Sequence, residues 1–243
     1  EYQRWLGSLG IASVAPDSFA LPDRVTYSSP IDKAAYERIH ALRASEIAPT
    51  LQAITSRPWA DAARIVLAGT SEGAVPVARH DGAGFVARMI YAWSCEPNYF
   101  VDSPRTATSE RKPVLNVISS TDPFFSRSNA WLGLPDAAGH CGSAFKGQPD
   151  VAVVLVPDAP HTLLTLPAAR HAAAGFLQAV ARPWRVRSCG QASGGWCVAR
   201  SPRSADCGSG TPRKRAGRAT SPSSRRASSA RPRRTASISW ITS

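Results

Sequence analysis

The sequence predicts an α/β fold, a mostly parallel sheet covered by helices on both faces. Three observations predict it. Short apolar runs such as residues 64–68 (RIVLA) and 150–157 (DVAVVLVP) lack the polar alternation of a half-exposed strand, so both of their faces are buried. Stretches with helical spacing separate these runs, the pattern of parallel strands joined by crossover helices. With 243 residues, 43% of them apolar, the chain has enough material for one domain of moderate size with its own core.

The elements follow in order. Residues 1–9 (EYQRWLGSL) place Tyr2, Trp5, Leu6 and Leu9 at helical spacing, a short amphipathic helix stopped by Gly10. The run 11–17 (IASVAPD) ends in Pro-Asp, as a buried parallel strand would. Residues 18–30 are rich in Ser, Pro and Asp and read as a loop. From Ile31, apolar residues recur at Ala35, Ile39 and Leu42, then at Ile47, Leu51 and Ile54, which is a long helix kinked or restarted at Pro49. Residues 64–68 are the second strand, and GTSEGAVPVA (69–78) is a sharp turn into a helix. FVARMIYAWS (85–94) is a third strand and CEPNYFVDSPRTATSERK (95–112) a loop. PVLNVIS (113–119) is a fourth strand, with Pro113 at its permitted first position. Residues 124–134 read as either helix or loop. Residues 150–157 are the fifth and clearest strand, and 167–181 a helix with Pro167 near its first position.

Beyond Arg182 the composition changes to Arg, Ser, Pro, Ala and Gly without apolar periodicity. Such a segment buries too little apolar surface to offset its ordering entropy, so 183–243 is expected to be a basic disordered tail. It reads as a polyanion-binding tail, a solvated extension or an out-of-frame translation. The whole net charge of +12 resides there. Residues 1–182 hold 16 Lys+Arg against 16 Asp+Glu, and the tail holds 13 against the single Asp206. A neutral body gives no electrostatic reason to bind nucleic acid. No run approaches 18 apolar residues, so no membrane span is expected. No basic-then-apolar leader follows Glu1, so no signal peptide is visible. Of five cysteines only Cys95 and Cys141 fall in the body, and none has zinc-site spacing. These two sit in loops after the third and fourth strands. They are either a disulfide at the rim of a site, which would imply an oxidising compartment such as the periplasm or exterior, or two unrelated buried thiols.

The strongest chemical signal is Gly69-Thr70-Ser71-Glu72-Gly73, a G-x-S-x-G directly after a strand and before a helix. A nucleophile elbow needs that context. The turn is tight, hence glycine two residues either side of Ser71. It lifts the hydroxyl above the strand end and aims the Glu72 backbone N–H at a reacting carbonyl oxygen. Asp122 follows the fourth strand in SSTDPFF, and His161 follows the fifth in VPDAPHTLL. Alone, the first is an Asp-Pro turn and the second a loop or helix-cap histidine. Together they give the order Ser…Asp…His, each just past the C-terminal end of a parallel strand, where sites on open α/β sheets assemble. His40 and His171 fall inside helices, His80 ends one, and His140 has no strand before it. Tyr27, Phe100, Phe124, Phe125 and Trp131 lie in loops near the same strand ends, as lining of an acyl or aromatic pocket or as ordinary loop anchors.

The segments APDSF (15–19), VLAGTSEGA (66–74), PVLNVISSTDPF (113–124) and VLVPDAPHTLL (154–164) resemble α/β-hydrolases of the dienelactone hydrolase-like group. The resemblance covers about residues 1–182. It implies an α/β-hydrolase fold and cleavage of a carboxylic ester or lactone, with Ser71 as nucleophile, His161 as base, Asp122 as acid, and no metal or organic cofactor. The sequence departs from the group twice. Dienelactone hydrolases proper carry Cys where Ser71 stands. The group's fold also begins with strands ahead of the first helix, and the loop after an early strand supplies a second oxyanion N–H. That region is missing, so the fold is expected to be N-terminally truncated, with an open sheet edge and only the Glu72 N–H assignable. A non-catalytic hydrolase-fold binding module or an inactive fragment is the alternative, and polyanion binding through the tail is a weaker one. Substrate size and oligomeric state are left open.

Overall fold

Strand β2 (Ala60–Thr70) is the axis of the sheet, and its alternation divides the molecule into two cores. Ile65 and Leu67 face one way and Val66 and Ala68 the other, all of them buried. Helix α1 (Tyr2–Ser8) precedes the three-residue strand β1 (Ala12–Val14). Helices α2 (Lys33–Ser45) and α3 (Ile47–Thr55) lead into β2, and α4 (Ala74–Arg79) leaves it. Strands β3 (Ala87–Tyr91), β4 (Val114–Ser119) and β5 (Val151–Val156) follow, then α5 (Pro167–Val180). The computed structural model describes residues 1–22, 24–101, 103–104, 106, 111–126, 136–180 and 235–241.

The expected architecture is present. Every strand pairing is parallel. Tyr2 and Leu6 of α1 and Ala169, Ala173 and Leu177 of α5 pack on Val66, Ala68, Met89, Leu115 and Val117. On the other face, Tyr36, Ile47, Ile54, Val75 and Val77 of α2, α3 and α4 pack on Ile65, Leu67, Ile90, Val114 and Ile118. Residues 65–69 of β2 and all of β3 and β4 are buried and read as apolar runs. The equally apolar run of β5 was expected to be buried on both faces but is an edge strand, partly open, with Leu155 47% exposed.

Two expectations are corrected. The long helix breaks at Glu46, between α2 and α3, and not at Pro49. Pro49 is the third residue of α3, where a backbone N–H has no partner inside the helix, so its ring costs nothing there. The second correction concerns the last residues. Most of the expected tail lies outside the described residues, but Thr235–Ile241 is strand β6, giving the order β1-β6-β2-β3-β4-β5. It pairs in parallel with both β1 and β2, from Ala12↔Ser237 to Val14↔Ser239 and from Ile65↔Ser237 to Gly69↔Ile241. β6 therefore lies between β1 and β2, and β1 is the strand at that edge of the sheet. The segment TASISWI carries no charge and holds two isoleucines, a threonine and a tryptophan, residues that suit a sheet interior.

His40 on α2 is 2% exposed, and neither ring nitrogen has a partner at close hydrogen-bonding range; Nδ1 lies 3.8 Å from Glu37 Oε2. The ring lies edge-on to Phe100, with centroids 4.5 Å apart. Burial pulls its pKa down to about 4; nearby Arg79 acts in the same direction, against the upward pull of Glu37 and Glu72. The neutral form is thus kept in the folded state. A histidine with a depressed folded pKa contributes stability above its unfolded pKa near 6.5 and loses it as pH falls towards the folded value. Between pH 7.5 and 4.5 the protein is expected to lose roughly 2–3 kcal/mol through this group, and His40→Leu to show a shallower loss in urea unfolding at the two pH values.

Deletion of 233–243 exposes unpaired backbone groups on both β1 and β2. The shortened chain is expected to melt at lower temperature and to associate, as read by circular dichroism and size-exclusion chromatography. An unchanged melt would mean that β6 adds nothing to the sheet.

Candidate active site

β2 ends at Thr70, and a single 3₁₀ turn, Ser71–Gly73, connects it to α4. The chain reverses so sharply that a Cβ on Gly69 would overlap the Gly73 carbonyl oxygen, and would lie 2.7 Å from its carbonyl carbon and 2.8 Å from Val77 Cγ2. Only glycine fits. Ser71 has φ +51°, in the left-handed region that costs an ordinary residue about 1–3 kcal/mol. The strained backbone raises its hydroxyl above the C-terminal edge of the sheet.

Asp122 lies three residues beyond β4 and is fully buried. Its Oδ1 accepts hydrogen bonds from the backbone N–H groups of Phe124 (2.8 Å) and Phe125 (3.1 Å). That leaves Oδ2 for His161 Nδ1 at 2.8 Å. His161 Nε2 lies 2.8 Å from Ser71 Oγ. The three side chains chosen from the sequence are therefore brought into one hydrogen-bonded line from three strand ends. The His161 ring is 20% exposed, and Phe124 meets it edge-on at 4.8 Å between centroids. Its loop is tied to the end of β4 by Ser119 Oγ, which donates to the Ala159 carbonyl at 2.6 Å, and by the Asp158 N–H, which donates to Ser120 Oγ at 3.3 Å.

Glu72, singled out only for its backbone N–H, contributes more. Its side chain is 4% exposed. Oε1 lies 2.6 Å from Arg24 Nη2 and 3.6 Å from Arg43 Nε, while Oε2 accepts from Tyr27 Oη at 2.8 Å. Burial and the Glu72 carboxylate both push the Tyr27 phenol up. Sequence reasoning missed Arg24 and Arg43. Arg43 recurs with the buried face of α2 (Tyr36, Ile39, His40, Arg43), a position where a charged residue signals a buried partner. Asn116 was also missed. It sits in the middle of β4, donating to the Ile90 and Trp93 carbonyls and accepting from the Cys141 N–H. Cys95 and Cys141 are bonded to each other, with Cα atoms 4.7 Å apart. Of the aromatics expected near the site, Phe100 and Phe125 are core residues at 5% and 2% exposure, Tyr27 and Phe124 are partly buried, and Trp131 lies outside the described residues. Among the described residues no group of three or more His, Cys, Asp or Glu is placed to hold a metal ion. Among them, too, no helix is long and apolar enough to cross a membrane.

The G-x-S-x-G turn thus stands between β2 and α4, with Asp122 just past β4 and His161 just past β5. No protein-family model matches the sequence, and neither does any curated protein. Among solved structures, 61% of the chain is similar to 63% of an esterase, PE8, at 18% identity and a TM-score of 0.39. Likewise 63% of it is similar to 68% of Arabidopsis thaliana SOBER1, at 15% identity and a TM-score of 0.34. A substituted variant of SOBER1 is similar over 69% of its length, at 14% identity and a TM-score of 0.36. The chain thus spans 63% of the length of PE8.

Two substitutions test the turn. Gly69→Ala is expected to destabilise by several kcal/mol, since backbone and not a flexible side chain must move. Ser71→Gly removes the positive-φ penalty and is expected to be more stable than Ser71→Ala by about 1 kcal/mol in denaturant unfolding.

Proposed function

We propose that this chain is a serine hydrolase that cleaves a carboxylic ester or lactone through an acyl-enzyme, as its dienelactone hydrolase-like segments imply. The observation that carries the reading is the line Asp122–His161–Ser71, with 2.8 Å at each step. Nothing in ordinary packing requires an imidazole to bridge a strained serine and a fully buried carboxylate.

In this reading His161 Nε2 takes the Ser71 proton as Oγ attacks the acyl carbon. The carbonyl oxygen becomes an oxyanion and accepts from the Glu72 N–H, whose place at the start of the turn leaves it without a partner inside the turn. Collapse of the adduct expels the alkoxide leaving group, which takes the proton from His161. A water then repeats the sequence on the acyl-enzyme and frees the acid and Ser71. Asp122 Oδ1 is fixed by two backbone N–H donors, which leaves Oδ2 to hold the His161 tautomer that bears hydrogen on Nδ1. Phe124 and Phe125 flank the imidazole and restrict its rotation. For a lactone the leaving alkoxide stays attached to the acyl group, and one hydroxy acid is released.

The test is p-nitrophenyl acetate hydrolysis by the full chain, with fluorophosphonate labelling in parallel. Ser71→Ala is expected to lose labelling and to reduce turnover about 10⁴-fold or more, and Asp122→Asn to reduce it about 10⁴-fold with labelling slowed. A folded wild-type protein with no Ser71-dependent turnover or labelling would favour a binding module built on the same fold.

A further inference from the structure

We propose that Arg24 and Arg43 are positioning residues that fix the Glu72 N–H through its buried carboxylate, an inference that rests on the hydrolase reading above. The starting point is a problem of burial. A carboxylate at 4% exposure, one residue from the nucleophile, is costly to desolvate. Left alone, its charge would also oppose an oxyanion forming beside it. Both difficulties are met by the same partners. Arg24 Nη2 lies 2.6 Å from Oε1, Arg43 Nε is at 3.6 Å, and the Tyr27 hydroxyl donates to Oε2 at 2.8 Å.

The partners are themselves held. Arg24 belongs to the segment after β1, donates from Nη1 to the Val25 carbonyl at 2.9 Å, and lies over the Phe19 ring at 5.0 Å. Arg43 belongs to α2, pairs with Glu46 Oε2 at 2.9 Å and donates to Ser18 Oγ. Both guanidiniums are almost wholly buried, at 3% and 0% side-chain exposure. Two arginines and two glutamates make a formally neutral cluster, so no net negative charge is left near the developing oxyanion. The Glu72 side chain is thus gripped from two elements that are separate from the turn. Rotation of the Ser71–Glu72 peptide, which would swing the N–H away from the reacting oxygen, would pull the carboxylate out of this grip. Misplacing such a donor by about 1 Å costs on the order of 10²-fold in rate.

The experiment compares Glu72→Gln, Arg24→Met, Arg24→Lys and Tyr27→Phe in the full chain, with rates per active site from fluorophosphonate titration. Glu72→Gln and Arg24→Met are expected to lower kcat about 10²-fold with KM little changed. Affinity for a trifluoromethyl ketone, whose adduct mimics the tetrahedral intermediate, is expected to fall in parallel. Arg24→Lys, which keeps the cation, is expected to recover part of the loss. Tyr27→Phe, which removes one hydrogen bond and no charge, gives a smaller fall in the same direction and decides the matter if the charge variants do not fold. Ketone affinity and kcat within about twofold of wild type in every variant that folds would overturn the positioning role while leaving the hydrolase reading intact. A wild-type chain without Ser71-dependent turnover would overturn both.

Discussion

The reversal of the chain at Ser71 is the constraint on which the rest of the site depends. A strand that ran on past Thr70 would carry the serine away from the sheet edge. Here the backbone turns back within three residues, and the Gly69 α-carbon lies against the Gly73 carbonyl with no room for a side chain. The turn forces a positive φ on Ser71, a cost of about 1–3 kcal/mol that an isolated peptide would not sustain. It is sustained because both sides of the turn are anchored. Ile65 to Ala68 are buried in the two cores before it, and Ala74 to Ala78 are buried immediately after it. Relaxing the serine would mean withdrawing one of those segments from its core.

Polar tethers then turn three strand ends into one arrangement. Asp122 is oriented by two backbone N–H groups of its own turn, and the His161 loop is bound to the end of β4 through Ser119 and Ser120. Asn116 joins the ends of β3 and the loop carrying Cys141, which the Cys95–Cys141 bond also fastens. Each tether satisfies a buried polar group that would otherwise cost about 1–3 kcal/mol. The Glu72 cluster is of a different kind. Buried ion pairs add little net stability, because desolvation offsets most of their attraction. Its consequence is geometric: a carboxylate bonded on both oxygens has one direction available to it, and so has the backbone that bears it.

The parts of this arrangement that were legible in the sequence are those that local pattern records. Strands buried on both faces appear as apolar runs, and a residue that follows such a run closely must emerge at the sheet's C-terminal edge. That reasoning gave Ser71, Asp122 and His161 without any knowledge of their distances. The parts that were not legible depend on partners far apart in the chain. Arg24 sits in a stretch that reads as an ordinary loop, and nothing local pairs it with Glu72, 48 residues away. The helix break at Glu46 was misplaced because proline is a strong breaker inside a helix but is harmless in its first turn. Strand β6 was hidden by averaging. Arginine and serine dominate the composition after residue 182, and they conceal a final uncharged stretch with isoleucines and a tryptophan.

That last strand bears on the site as well as on the sheet. Neighbouring strands lie about 4.8 Å apart, so β1 and β2, with β6 between them, are separated by roughly twice that and share no hydrogen bonds of their own. The three-residue strand β1 is paired along its length with β6, and Val14 packs on the core beside it. The segment that follows β1 carries Ser18, which accepts from Arg43, and Arg24, which grips Glu72. β6 thus joins β1 to β2 by paired backbone on both sides, while the segment after β1 is fastened to the turn by Arg24 on Glu72 and to α2 by Ser18 on Arg43.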